Sequence, residues 1–389
     1  MTATSAPARR PRAEAGGGPP IRLLFPAMPN AAAVLPYLER IDATGIYSNY
    51  GPLDGELRER LGTMCGATGV ALTTSGTTAI ELALRAVTHR PPAHDPSGEN
   101  PPTSATPGVV MPSYTFVATA HAVANAGFDP VLADIDPDTL MMTPETAERA
   151  MAELERPPAA VVPVSAFGAP LDMASWAAFR ERHAIPVVFD AAAAATTLRG
   201  VGADPVCVSL HATKVPGIGE GGAVLTSDRA LADRITAMTG FGFTGAARTA
   251  QVRGGNYRLS EYAAAVGLAA LDGLPRHLDA LRRVADRYER ALRGRKSRLL
   301  DGFGSRWVSS TINVRVPVDR AEATTGALEA AGVPWRHWWG LGTHHHPAFA
   351  CVARASLEAT DRVAPTVIGL PFHPALTDAE IDRITDPLP

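Results

Sequence analysis

The sequence predicts an α/β chain, a mostly parallel sheet covered by helices on both faces, followed by a smaller α+β region. Between residues 21 and 259, short apolar runs alternate with helix-length segments whose apolar residues recur every three or four positions. Beyond about residue 259 that alternation gives way to one long helical stretch and then to half-buried, period-two patterning. Two Pro-rich, weakly apolar segments read as a disordered tail, 1–20, and as a long mobile loop, 89–107, that interrupts two patterned segments. The predicted units are therefore a large domain over 21–259 and a linking helix with a small C-terminal domain over 260–389.

In order, Gly69–Leu72 is a strand followed by a helix through Thr77–Leu84, and Gly108–Met111 is a strand followed by the helical AHAVANAG. Pro130–Asp134, Ala159–Val164, Pro186–Asp190 and Val206–Leu210 continue the series of buried strands. Leu259–Arg293 is a long helix expected to break or kink at Pro275. Ile312–Val316 alternates as a half-buried strand, Glu322–Ala331 is helical, and an acidic helix begins near Thr377. The chain contains neither an internal repeat nor a heptad array.

With 389 residues the chain can bury a large core, and a net charge of −3 gives no overall basic field to recruit nucleic acid or an anionic membrane. Cys65, Cys207 and Cys351 form no CxxC pair and no disulfide framework, which fits a reducing cytoplasm; each is expected to be a small buried apolar residue. The arginines near the N-terminus have no apolar run behind them, and no other run is long enough to span a bilayer, so a cytoplasmic protein is expected.

Ligands of open α/β sheets gather where strands end and helices begin. Ser75-Gly76-Thr77-Thr78 lies at such a place, where backbone amides and hydroxyls suit a phosphate, although capping the helix is the commoner use of these residues. Asp190 ends a buried strand and is costly there unless a cation meets it; a protonated pyridine nitrogen would do so. Lys214, in SLHATKVPGIGEGG (209–222), follows one more short strand, and burial can lower its pKa enough for it to attack a carbonyl. A Schiff-base lysine, a carboxylate for a ring nitrogen and a phosphate cup are the three parts that pyridoxal 5'-phosphate requires. Tyr114 or Phe116 could offer a flat face to a planar ring, and Asn256-Tyr257-Arg258 brings an amide and a cation to the start of the long helix.

These segments together resemble the DegT/DnrJ/EryC1/StrS family of sugar aminotransferases. The resemblance runs through YSNYGPLDGEL, SGTTAIELAL, MPSYTFVATA, LADIDPDTL, PVSAFGAPLDM, FDAAA, SLHATK, GEGGAV and GGNYRLSEYAAAVGLAALDGL, in family order over most of the chain. It implies the aspartate-aminotransferase fold (fold type I), with a mostly parallel seven-stranded sheet in the large domain. By the same resemblance, Lys214 would form the aldimine with pyridoxal phosphate and shuttle a proton, Asp190 would hold the pyridinium nitrogen, and Phe116 would stack on the ring. Gly76, Thr77, Thr78 and Ser209 would bind the phosphate, with Asn256 reaching in from the neighbouring subunit of a homodimer. The sequence departs from the family pattern at Ala193, where many members carry a glutamine, and at Ser165, where a histidine is common.

The segment Val333–Pro347 packs Trp335, Arg336, His337 and His344 with further aromatics, a composition suited to a sugar ring and a diphosphate. Trp335, Arg336, His337, His344 and Tyr50 are the candidate substrate residues. Three successive histidines invite a metal, but adjacent side chains converge poorly and no carboxylate or cysteine has ligand spacing, so no metal is expected. The resemblance implies conversion of a nucleotide-linked keto-deoxysugar, with dTDP as the nucleotide, to an amino sugar, with L-glutamate as donor and ping-pong kinetics. An aminocyclitol aminotransferase acting on a keto-inositol and a catalytically inactive cofactor-binding regulatory partner are the alternatives.

Overall fold

A computed structural model of the protein describes residues 20–88, 106–245 and 248–389. The tail expected over 1–20 and the loop expected over 89–107 therefore lie almost entirely outside the described residues. Helices α1 (Ala31–Thr44) and α2 (Pro52–Cys65) precede strand β1 (Gly69–Thr73) and α3 (Gly76–Val87). Then come β2 (Gly108–Pro112), α4 (Ala118–Asn125), β3 (Asp129–Ala133), α5 (Pro144–Ala152), β4 (Ala160–Val161), α6 (Met173–His183), β5 (Phe189–Asp190), β6 (Val206–Ser209), β7 (Gly222–Thr226) and α7 (Arg229–Thr239). The long α8 (Glu261–Ala291) leads to β8 (Arg298–Leu299), β9 (Ile312–Arg315), α9 (Ala321–Ala330), β10 (Ala353–Arg354), α10 (Glu358–Val363), β11 (Val367–Leu370) and α11 (Asp378–Thr385).

Two four-stranded ladders, β1-β7-β6-β5 and β10-β3-β2-β4, are joined by parallel bridges between Val161 and Val187 and between Val164 and Asp190. The result is one sheet in the order β1-β7-β6-β5-β4-β2-β3, with β10 added at the end. Only β7 runs antiparallel to its neighbours. Alternate side chains of one strand point to opposite faces, and each face here has its own apolar cluster. Val110 packs into one cluster, Val109 and Met111 into the other. A separate three-stranded sheet, β11-β9-β8, follows in the C-terminal part of the chain.

Two expectations need correction, and one strand was not foreseen. The long helix is not broken at Pro275: α8 runs through it for 31 residues. Pro275 is exposed, while Leu268, Leu271 and Leu274 before it and Leu281, Val284 and Tyr288 after it are buried, so packing on both sides holds the helix in register. Cys351 is exposed, unlike Cys65 and Cys207, because it follows the short turn that buries Phe349 in its place. Burial pushes the Cys65 thiol up to about 12, which makes it inert. The strand β7 was not anticipated.

The segment before α2 enters by Asn49 and Tyr50, both left-handed. Glu261, fully buried at the start of α8, accepts the Leu53 and Asp54 amides at 2.8 Å each and so caps α2 from a distant part of the sequence. A Cβ on Gly51 would lie 2.6 Å from the Glu261 carboxyl carbon, so this close approach requires glycine. At the other end of the sheet, Asp134 accepts the amides of Ala359 and Thr360 at 2.8 Å and fastens α10 to the end of β3. No described helix is long and apolar enough to cross a membrane.

Candidate active site

Strands β1, β2, β5 and β6 end on the same side, and the predicted cofactor residues sit at those ends. Ser75 caps α3: its hydroxyl accepts the Thr78 amide at 3.1 Å and lies 3.0 Å from the Thr78 hydroxyl. The remaining first-turn amides, those of Gly76 and Thr77, face outward with the positive end of the helix dipole, as an anion requires. Ser209 closes this cradle. A Cβ on Gly76 would stand 2.8 Å from the Ser209 Cβ, and one on Gly222 would stand 2.4 Å from the Ser75 carbonyl carbon. Both glycines are therefore set by backbone proximity, and Gly76, Thr77, Thr78 and Ser209 come together as expected.

Asp190, at the end of β5, is 5% exposed. Its Oδ2 accepts from the Thr119 hydroxyl at 2.7 Å and its Oδ1 from the Ala192 amide at 3.1 Å. Burial pushes its carboxyl above the ordinary range, opposed by these two donors and by the charge of Lys214. Thr119 is a site residue that sequence reasoning missed; its signal was a hydroxyl in the first turn of the helix that follows a strand end. The same hydroxyl lies 2.9 Å from that of Thr115, and the Thr119 amide donates to the Phe116 carbonyl at 3.1 Å. Thr119 thereby links Phe116, an exposed residue, to Asp190. An uncovered aromatic face next to a buried acid is an arrangement that a flat heterocycle would complete.

The loop carrying Lys214 is a closed excursion. Leu210 donates to Gly221, Ile218 to Leu210 and Ala212 to Gly219, all within 2.9 Å, so the chain leaves β6 and returns to β7 as a hydrogen-bonded neck. His211 accepts the Thr213 amide at Nδ1 (3.2 Å) and places Nε2 3.6 Å from Glu220, which accounts for the imidazole and the Glu-Gly-Gly run as parts of this neck. Lys214, partly buried, has its pKa lowered by burial, with Asp190 opposing. A small cavity beside Lys214 is lined by Phe25, His277, Ser310 and His373 among others, none of which the sequence pointed to.

Lysine, buried acid, phosphate cradle and open aromatic face fit pyridoxal phosphate. Asp190 carries the test: among the described residues it forms no ion pair, with two neutral donors on it and Lys214 acting only as a nearby charge, and a pyridinium nitrogen would supply a direct partner. A search for known families matches residues 30–388 to the DegT/DnrJ/EryC1/StrS aminotransferase family. The chain belongs to that family. Its relatives include the UDP-2-acetamido-2-deoxy-3-oxo-D-glucuronate aminotransferase of Pseudomonas aeruginosa, 31% identical over 86% of this chain and 89% of the relative. The GDP-perosamine synthase of Caulobacter vibrioides is 30% identical over 89% and 92%. Among solved structures, DesI in the presence of its TDP-sugar product superposes with a TM-score of 0.82 at 30% identity, covering 95% of this chain and 94% of that one. The protein is thus a pyridoxal-phosphate-dependent aminotransferase of fold type I, with the seven-stranded sheet expected of that fold.

Ser165 is buried and donates to the Ala169 carbonyl at 2.6 Å, and the Ala193 carbonyl lies against Gly168. The candidate substrate residues fall into separate groups. Trp335, Arg336 and His337 lie on a segment paired with β11: Arg336 exchanges backbone hydrogen bonds with Gly369, His337 Nδ1 donates to the Val367 carbonyl at 2.8 Å, and Trp335 and His337 meet edge to face. Trp339, not singled out before, stacks on Phe167 at 4.0 Å and so joins this segment to the PVSAFGAP loop. His344 is held between the Ser113 hydroxyl (2.6 Å) and Asp361 (2.9 Å). The Tyr50 hydroxyl is spent on the end of α7, 3.0 Å from both the Thr236 carbonyl and the Thr239 hydroxyl. Asn256 is exposed and accepts from Arg258, which also donates to Asn49.

Proposed function

We propose that the protein moves an amino group from L-glutamate to the ketone carbon of a nucleotide-linked deoxysugar, with dTDP as the nucleotide. The observation that carries the reading is the buried Asp190 carboxylate, fixed by Thr119 and Ala192 beside a lysine of lowered pKa. The relatives named above support a nucleotide-sugar acceptor, and the likeness to DesI with its TDP-sugar product supports the choice of nucleotide.

When bound, the cofactor supplies a carbonyl that takes up an amine and a ring that accepts electron density from the carbon losing a proton. Lys214 Nζ would hold the cofactor, and its lowered pKa would suit it to carry a proton within the site. Asp190 keeps the ring nitrogen protonated, with Thr119 and Ala192 orienting the carboxylate. Phe116 would offer its exposed face to the ring, while the amides of Gly76 and Thr77 with the hydroxyls of Thr78 and Ser209 would hold the phosphate.

Asn256 joins that cradle from a second copy of the chain. Exposed Tyr47 and Tyr262 stack on one another, and Arg258 covers exposed Phe241 beside Asn49, so aromatic surface surrounds the loop that carries Asn256. Such a patch suits a homodimer with shared sites. The large and small domains divide near residue 259, and the enzyme works in the cytoplasm.

The test is the absorption spectrum of the purified enzyme with pyridoxal phosphate, before and after L-glutamate, beside Lys214→Ala. A Lys214-dependent band that glutamate converts, followed by turnover of dTDP-linked keto-sugar in preference to its UDP and GDP counterparts, supports the proposal. A band that no amino acid converts overturns it in favour of a non-catalytic role, and turnover of a free keto-inositol without a nucleotide overturns the substrate assignment.

A further inference from the structure

We propose that His344, His345 and Asp361 form a binding site for a single transition-metal ion, Zn2+ by chemistry, on the outer side of the 342–346 turn. The sequence offered no carboxylate at ligand spacing from these histidines, and the fold supplies one: α10 delivers Asp361 to within 2.9 Å of His344 Nε2 and 3.7 Å of His345 Nε2. One ligand atom from each of the three residues lies within 4.8 Å of the others. A tetrahedral Zn2+ with bonds of about 2.0–2.2 Å holds its ligand atoms roughly 3.3 Å apart, so the observed separations bracket that value and need only small side-chain rotations.

The surroundings fit as well. The three residues line a surface cavity of about 490 Å³, which leaves a fourth coordination position open to water. His344 Nδ1 sits 2.6 Å from the Ser113 hydroxyl. With a metal on Nε2 the ring proton resides on Nδ1 and donates to Ser113, the outer hydrogen bond that ligating histidines characteristically make. Arg354 lines the same cavity and opposes any divalent cation there, so the ligand set must outweigh it. Two imidazoles and one carboxylate do not suit Mg2+ or Ca2+, which need several oxygen ligands, and favour metals with strong imidazole affinity. Because the Thr343 amide donates to the Ser113 carbonyl at 2.7 Å, one residue before Tyr114, the ion would brace the 342–346 turn against the end of β2.

The experiment uses untagged, cofactor-loaded protein dialysed against chelator and titrated with Co2+ while visible ligand-field absorption is followed, with Zn2+ as competitor. The expected result is one four-coordinate Co2+ per chain, displaced by Zn2+. His345→Ala and Asp361→Asn change exposed side chains and each should weaken binding by at least the ~10–100-fold that loss of even an outer hydrogen bond costs, with the cofactor spectrum unchanged. Absence of saturable binding, or binding that both variants retain, overturns the site.

Discussion

Replacing Thr119 with valine tests how the buried acid is kept charged. The Thr119 hydroxyl has a single proton, and its shortest contact, 2.7 Å to Asp190 Oδ2, takes that proton; Thr115 at 2.9 Å then serves as donor to it. Valine keeps the shape and removes the donor, leaving the carboxylate with the Ala192 amide as its remaining hydrogen bond from the protein. A hydrogen bond to a charged group contributes about 1.5–3 kcal/mol. The Asp190 pKa therefore rises further, and kcat/KM falls by about 10–100-fold. The assay is the single-turnover rate of the glutamate half-reaction across pH. Thr119→Val should lower the rate and move the acidic limb to higher pH, while Thr119→Ser should restore both. A valine enzyme with wild-type rate and pH profile would refute the role given to this hydrogen bond.

Further outcomes follow from the same geometry. Gly76→Ala puts a Cβ 2.8 Å from that of Ser209; affinity for pyridoxal phosphate should fall at least about tenfold while that for pyridoxal, which lacks the phosphate, changes little in equilibrium titrations. Glu261→Ala leaves the Leu53 and Asp54 amides without their buried acceptor and should cost about 2–4 kcal/mol in urea unfolding. Burial holds His277, His344 and His373 below the ordinary 6.5. Below about that pH the unfolded chain takes up protons that the native chain does not, so stability rises with pH through the window and is lost on acidification. The urea midpoint should fall from about pH 7.5 to about pH 5.5, less steeply in His277→Leu; equal slopes would argue against the assignment.

The sequence was most legible where local chemistry and position coincide. Asp190 and Ser209 each end a strand and Gly76 and Lys214 follow one within a few residues, and the ends of parallel strands converge, so reading them in order was enough to place them together. Legibility failed where a partner comes from far along the chain. Glu261 reads locally as an acidic first-turn residue of α8, yet it caps α2; nothing between residues 54 and 261 encodes that meeting. Asp361 stands only 17 residues beyond His344, yet it was invisible as a neighbour because the turn into α10, not a ligand spacing, brings it back. β7 is a five-residue apolar run after a glycine pair, and no local signal tells an antiparallel strand from a parallel one. The Tyr50 hydroxyl and the segment 335–337 show that residue type alone does not say which polar atoms are already taken.

The two-residue strand β10 has a consequence for how the chain is made. Ala353 and Arg354 pair with Val131 and Leu132, and Ala355 donates to Leu132 at 3.0 Å. Until these late residues emerge from synthesis, β3 is an open margin of a largely apolar sheet, able to pair with any extended chain nearby. Fragments that stop before residue 353 would keep that margin open, so the C-terminal region acts within its own molecule as a guard against clumping.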